Sequence, residues 1–194
     1  MTPITPSEIL DLTAYEKVRE ARRREVIELK QRRRVSLGRH LSFVFENRLT
    51  VWFQIQEMIR AERLVDDARI ADEIDVYNAL LPGAGERSAT LMIEIGEVAE
   101  IQPVLDKLLG IDTRGDVRLE VGPHRIPAVF EAGRSDEERG KLSAVHFVRF
   151  AVPVDAEAFR RAEVALAVDH PNERARTVLS PETKTALATD LESA

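Results

Sequence analysis

Thr50, Gln54, Glu57 and Ala61 follow one another at i, i+4, i+7 and i+11, which sets them along one narrow face if residues 48–64 are helical. Glu46 and Asn47 stand just before that segment, at the corner where an apolar run ends. Carboxylates, amides and a hydroxyl on one side of a helix can hold a cation or a polar ligand, or can position Glu57 as a proton acceptor. In this chemical reading Glu57 is the catalytic base and Glu46 the orienting acid, with Asn47, Thr50 and Gln54 binding the ligand. The two glutamates and His40, the nearest basic group in sequence, make a candidate set for a divalent metal. The competing reading is structural: Glu46, Thr50 and Gln54 cap backbone groups, and Glu57 pairs with an arginine such as Arg60.

The remaining histidines carry less chemistry. His146 alternates with Val148, Phe150 and Val152, and His170 with Leu166 and Val168, a pattern expected of hydrogen-bonded core residues on strands. His124 falls in Gly122-Pro123-His124-Arg125, which reads as an exposed turn. Glycine-rich phosphate loops, H-E-x-x-H and the G-x-S-x-G elbow are all missing, as are the paired E-x-x-H motifs of a di-iron bundle. With no cysteine, the chain cannot build a disulfide, a thiolate nucleophile or a cysteine-ligated iron–sulfur cluster.

The elements around the stripe follow from periodicity. A charged helix is expected from about residue 12 to 34, with Tyr15, Val18, Val26 and Leu29 as a thin apolar stripe. Glu–Arg pairs such as Glu16–Arg19, Glu20–Arg24 and Glu28–Arg32 would solvate it. Residues 35–45 then alternate as one strand, with Val35, Leu37, Leu41, Phe43 and Phe45 on its apolar face. Asn47 caps the helix 48–64, and Asp66-Asp67 open another that ends near Leu81-Pro82-Gly83. Beyond it the pattern predicts a strand at 89–95, a helix at 98–109 and a hairpin pairing 116–121 with 126–130. A charged loop at 131–141, strands at 144–152 and 164–169, a short helix near 155–161 and a closing helix from Ser180-Pro181-Glu182 complete the order.

This order predicts an α+β fold, a helical N-terminal part packed on a mostly antiparallel or mixed sheet, with a C-terminal helix. The 194 residues suit a single domain, in which 1–34 are a basic helical extension and 35–194 the main body. The net charge is −6, yet residues 17–39 hold ten Lys and Arg against three Glu. Arg22, Arg23, Arg32, Arg33 and Arg34 are the candidate partner-binding residues of that segment. Nucleic acid is a poor fit, because no aromatic residues interleave the basic ones as a stacking platform. No window approaches the ~20 apolar residues of a membrane span, and the protein is expected to be cytoplasmic.

Residues 15–62, with Arg33-Arg34-Val35, Phe45-Glu46-Asn47, Thr50 and Gln54-Ile55-Gln56-Glu57-Met58, resemble the bacterial family known as domain of unknown function 3501. Val168-Asp169-His170-Pro171, Leu179 and the closing helix extend the resemblance over nearly the whole chain. It implies no catalytic residues. It does imply a redox or oxidative-stress setting, since family members are encoded near rubrerythrin-like and iron–sulfur oxidoreductase proteins. Two functional readings result. One is an accessory protein that docks a partner, such as an oxidoreductase encoded nearby, or a second copy of itself. The other is a metal-dependent or carboxylate-based enzyme acting on a small polar substrate.

Overall fold

The computed structural model describes residues 1–136 and 139–192. In chain order its elements are α1 (Leu12–Gln31), β1 (Arg34–Leu37), β2 (Leu41–Phe45), α2 (Arg48–Glu62), α3 (Asp67–Asn78), β3 (Glu86–Ile93) and α4 (Ile101–Leu108). There follow β4 (Val117–Val121), β5 (His124–Pro127), β6 (Val129–Phe130), β7 (Ser135–Asp136), β8 (Lys141–Leu142), β9 (Val145–Ala151), α5 (Ala156–Arg161), β10 (Val164–His170), β11 (Glu173–Val178) and α6 (Pro181–Glu192). The larger sheet has the order β1-β2-β3-β9-β6, a second sheet runs β11-β10-β4-β5, and β7 and β8 pair alone. Every pairing is antiparallel. The fold is α+β, with the C-terminal helix in place.

The larger sheet is covered on both sides along β2, where all five residues are buried, and its alternation sorts residues between two cores. Phe43, Phe45, Ala89, Leu91, Val148 and Phe150 meet Val117, Leu119, Leu166 and Val168 of the second sheet, and Phe159 of α5 and Leu187 of α6 join the same cluster. On the opposite face Val51, Ile55 and Ile59 of α2 pack with Ile4, Leu64, Ile74 of α3, Leu80 and Leu81.

The apolar alternation over residues 35–45 holds, but the topology differs from one strand. Gly38, at φ +67°, takes the left-handed conformation that turns the chain. Val35 then pairs with Phe43, and Leu37 with Leu41, so both arms keep their large side chains on the same face. The predicted 116–121/126–130 hairpin is tighter than expected. Val121 pairs directly with His124, so the turn is Gly122-Pro123, and Val129 and Phe130 cross to β9 of the other sheet. Strand β11 has no counterpart in the sequence reading. Its exposed positions hold Arg174 and Arg176, and such charged edge strands lack an apolar signature. The predicted loop at 131–141 contains the short β7–β8 pair, and its residues 137 and 138 lie outside the described ones.

Residues 1–34 are tied into this body. Tyr15 and Val26 of α1 are buried, as is Ile4 of the arm that precedes it. Side chains of α2 and α3 bond the arm's backbone. Asn78 accepts from Ile4 N and donates to Ile4 O, and Gln56 does the same with Leu10. Arg48 donates to Thr2 O, and Trp52 Nε1 to Glu8 O.

Candidate functional site

The strand-to-helix corner builds the site. Glu46 N donates to Ser88 O at 2.9 Å, continuing the β2–β3 ladder one residue further. Strand alternation therefore turns Glu46 away from Phe45, toward the helical side of the sheet. Asn47 ends the strand and caps α2: its side chain accepts from Thr50 N at 3.0 Å while Asn47 N donates to Thr50 Oγ1 at 2.9 Å. Thus anchored, the Thr50 hydroxyl donates to Glu46 Oε2 at 2.5 Å. Gln54 Nε2, a turn further on, reaches the same oxygen at 3.1 Å, and Thr90 of β3 donates to Oε1 at 2.6 Å.

Glu46 is 3% exposed, and every donor bonded to it is neutral. A carboxylate offers about four lone-pair positions, so these bonds leave room for one more donor. Glu46 also lines a cavity of about 350 Å³ whose walls include Leu80, Ala89, Val129, Phe130, Phe147 and Val148. Ser88, Glu131 and Arg149 complete its polar lining. Arg149 is already committed: Nη1 donates to Leu81 O at 3.0 Å and to Glu86 Oε2 at 2.9 Å, and Nη2 bonds Ala79 O. Beside the cavity the Arg134 guanidinium lies 4.7 Å from the Phe147 ring centre and donates to Glu131 at 2.7 Å. The arrangement is a small apolar chamber with an oriented acceptor in its wall.

The predicted stripe divides. Glu46, Thr50 and Gln54 come together, with Asn47 holding the corner in place. Glu57 points elsewhere: Arg19 of α1 grips it through Nε at 2.8 Å and Nη2 at 2.7 Å, and the Tyr15 hydroxyl adds a bond of 2.8 Å. The Arg19 bonds hold the Glu57 carboxyl below its ordinary pKa, although burial opposes the shift. Burial, then the bond to Glu57, pushes the Tyr15 phenol well above its own. Glu57 thus pairs with Arg19, and Arg60 instead meets Glu16. These cross-helix bonds stand where pairs internal to α1 were expected. His40 lies in the β1–β2 turn, its Nδ1 3.3 Å from Glu94 O. The three metal candidates therefore occupy separate places, since Glu57 is taken by cations and His40 belongs to the far end of the hairpin. Among the described residues no three His, Asp or Glu side chains form a metal-binding group.

The arginines divide as well. Arg22, Arg23, Arg32 and Arg34 are exposed, with Arg22 5.7 Å from the Trp52 ring centre and Arg34 paired with Glu94. Arg33 is a correction to the partner-binding set. It is 3% exposed, and its two Nη atoms bond Asp190 of α6 at 2.7 and 2.9 Å. His146 and His170 are core residues as expected, bonded to Ser143 O at 2.8 Å and Leu109 O at 3.3 Å, and His124 is exposed. Sequence reasoning missed Thr90, Phe130, Phe147 and Arg149. Alternation alone places Thr90 opposite Ala89, and nothing local ties it to Glu46, 44 positions away.

No helix among the described residues is long and apolar enough to cross a membrane. No protein with a curated description matches the chain. It is similar to a solved structure from Burkholderia pseudomallei K96243, described as a novel protein of unknown function, with 33% identity and a TM-score of 0.88 over 98% of this chain and 100% of that one. The model of the family described as protein of unknown function (DUF3501) matches residues 3–191, and the chain belongs to that family.

Proposed function

We propose that this protein binds a small ligand in the Glu46 cavity, with a cationic amine on the carboxylate and an apolar body between Phe130 and Phe147. The observation that carries this reading is Glu46 itself, a buried carboxylate held by three neutral donors with no basic side chain among the described residues bonded to it. Burying a carboxylate without a counter-charge is costly, and an ammonium group at the remaining acceptor position offsets that cost. A volume of about 350 Å³ stands at the small end of ligand cavities. The test is calorimetric titration with small aromatic and aliphatic amines beside their neutral alcohol counterparts. Amines should bind and alcohols of the same shape should not, and Glu46→Gln should weaken amine binding at least about tenfold. Equal binding of both series, or amine binding untouched by Glu46→Gln, would overturn the reading.

Docking of a partner along α1 is the second reading, and one observation favours it. Val18 and Ile27 are 36% and 42% exposed on the helix that presents Arg22, Arg23 and Arg32. An acidic patch on a partner protein suits this mixture, and the oxidoreductase encoded nearby that the family resemblance implies is the candidate to carry one. Affinity for such a partner should fall with salt and with Arg22→Glu/Arg23→Glu. Salt-independent binding, or none by light scattering at low ionic strength, would exclude it.

A further inference from the structure

At the end of the larger sheet where β2 runs into Glu46, two arginines enter the core between the sheets. Arg33 lies across from Phe45, which donates its N–H to Arg33 O at 3.0 Å. Arg87 is two residues before Ala89 on β3, so alternation sends it to the same face, and it pairs across β9 with Phe150. The two side chains are 3% and 1% exposed. Asp190 is Arg33's partner and engages both of its Nη atoms, while among the described residues Arg87 bonds only Glu86 O, through Nη1. Arg33 Nε, Arg87 Nε and Arg87 Nη2 are buried donors with no partner among the described residues.

Charge and hydrogen bonding point the same way. Two guanidinium groups face one carboxylate, leaving a buried excess of one positive charge. Burial lowers the Arg87 pKa to about 10, with Asp190 opposing and Arg33 reinforcing the shift, so Arg87 stays protonated at neutral pH. A buried charge of this kind needs a counter-ion and acceptors for its N–H groups. We infer that the Arg33–Arg87–Asp190 cluster is a binding site for a small monovalent anion of halide size. A larger carboxylate or phosphate does not suit side chains this thoroughly covered. The anion enters by local opening around α6 and, once bound, ties β3 to the C-terminal helix.

The probe is chloride, exchanged for gluconate at constant ionic strength while the full chain is melted. The wild-type Tm should rise by about 3 °C at a tenfold excess over the dissociation constant and go on rising with the logarithm of chloride concentration beyond it. Arg87→Met leaves the Arg33–Asp190 pair electrically balanced, so it should melt at the same temperature in either salt. Crystals of the wild type soaked in bromide should show anomalous density within hydrogen-bonding reach of Arg87 Nη2 and Arg33 Nε, a readout that does not depend on the variant folding. The inference fails if the wild-type Tm ignores chloride, if the dependence survives in Arg87→Met, or if bromide does not locate between these arginines.

Discussion

Glu46 and Glu57 begin as equals on one face of a helix and end in opposite environments. Glu57 is bound by Arg19 and Tyr15, which staple α1 to α2. Both sides of this ion pair keep some solvent access, so its contribution is modest. Glu57→Gln should cost about 1 kcal/mol in urea unfolding and leave amine titrations unchanged. Because the folded Glu57 pKa lies below its ordinary 4.5, its stabilisation is complete above that value and is lost as pH falls through the depressed one. His146 acts at higher pH. Burial lowers its pKa from 6.5, with Asp112 opposing, so the ring is neutral in both states above 6.5 and costs stability as pH falls below it. The slope of Tm between about pH 6.5 and 5 should be shallower in His146→Gln, and an unchanged slope would show that another group sets it. At this scale the sequence was informative where partners are close along the chain. Thr50 and Gln54 stand one and two turns from Glu46, whereas Thr90, Arg19 and Asp190 reach their partners only through tertiary folding.

Among the elements, the corner Glu46-Asn47 and the β1–β2 hairpin show what local chemistry can and cannot specify. The Asn47 cap and the helix it starts were legible because capping is written in adjacent residues. Asn47→Ala should destabilise by about 1 kcal/mol and also weaken amine binding, since the cap fixes Thr50 and Thr50 fixes Glu46. A full-affinity Asn47→Ala would separate capping from the site. The hairpin was not legible as such, because its odd-numbered loop leaves the alternation unbroken across the turn. Gly38 is the one local clue. An added Cβ there would be strained by the positive φ and would collide with the Glu173 carboxylate, which accepts from Arg39 N at 2.9 Å. Gly38→Ala should therefore lose about 1–2 kcal/mol, measured by chemical denaturation. Glu173 can swing aside, so most of that loss is backbone strain and the surrendered bond. Strand β11 escaped detection for a different reason: a charged edge strand is specified by its neighbour β10 and not by its own composition.

For the whole molecule, the larger sheet stands between two hydrophobic clusters, one shared with the second sheet and one with α2 and α3. The α+β class could be read from periodicity, but this division could not, because a strand buried on both faces hides which face serves which core. It also gives the cavity and the arginine cluster their places, Glu46 on one face and Arg87 on the other. The N-terminal arm closes the helical side in an unusual manner. Arg48, Trp52, Gln56 and Asn78 bond its main-chain atoms, and Ile4 is its one fully buried apolar side chain. Glu8 adds a carboxylate gripped by Arg48; main-chain atoms are the same whatever residue carries them, so apart from Ile4 and Glu8 the information that seats the arm resides in its receivers. Mutational scanning should find Thr2, Pro3 and Leu10 tolerant of exchange and Gln56 and Asn78 intolerant, an arm free to drift in sequence everywhere but at Ile4 and Glu8 while its berth is held fixed.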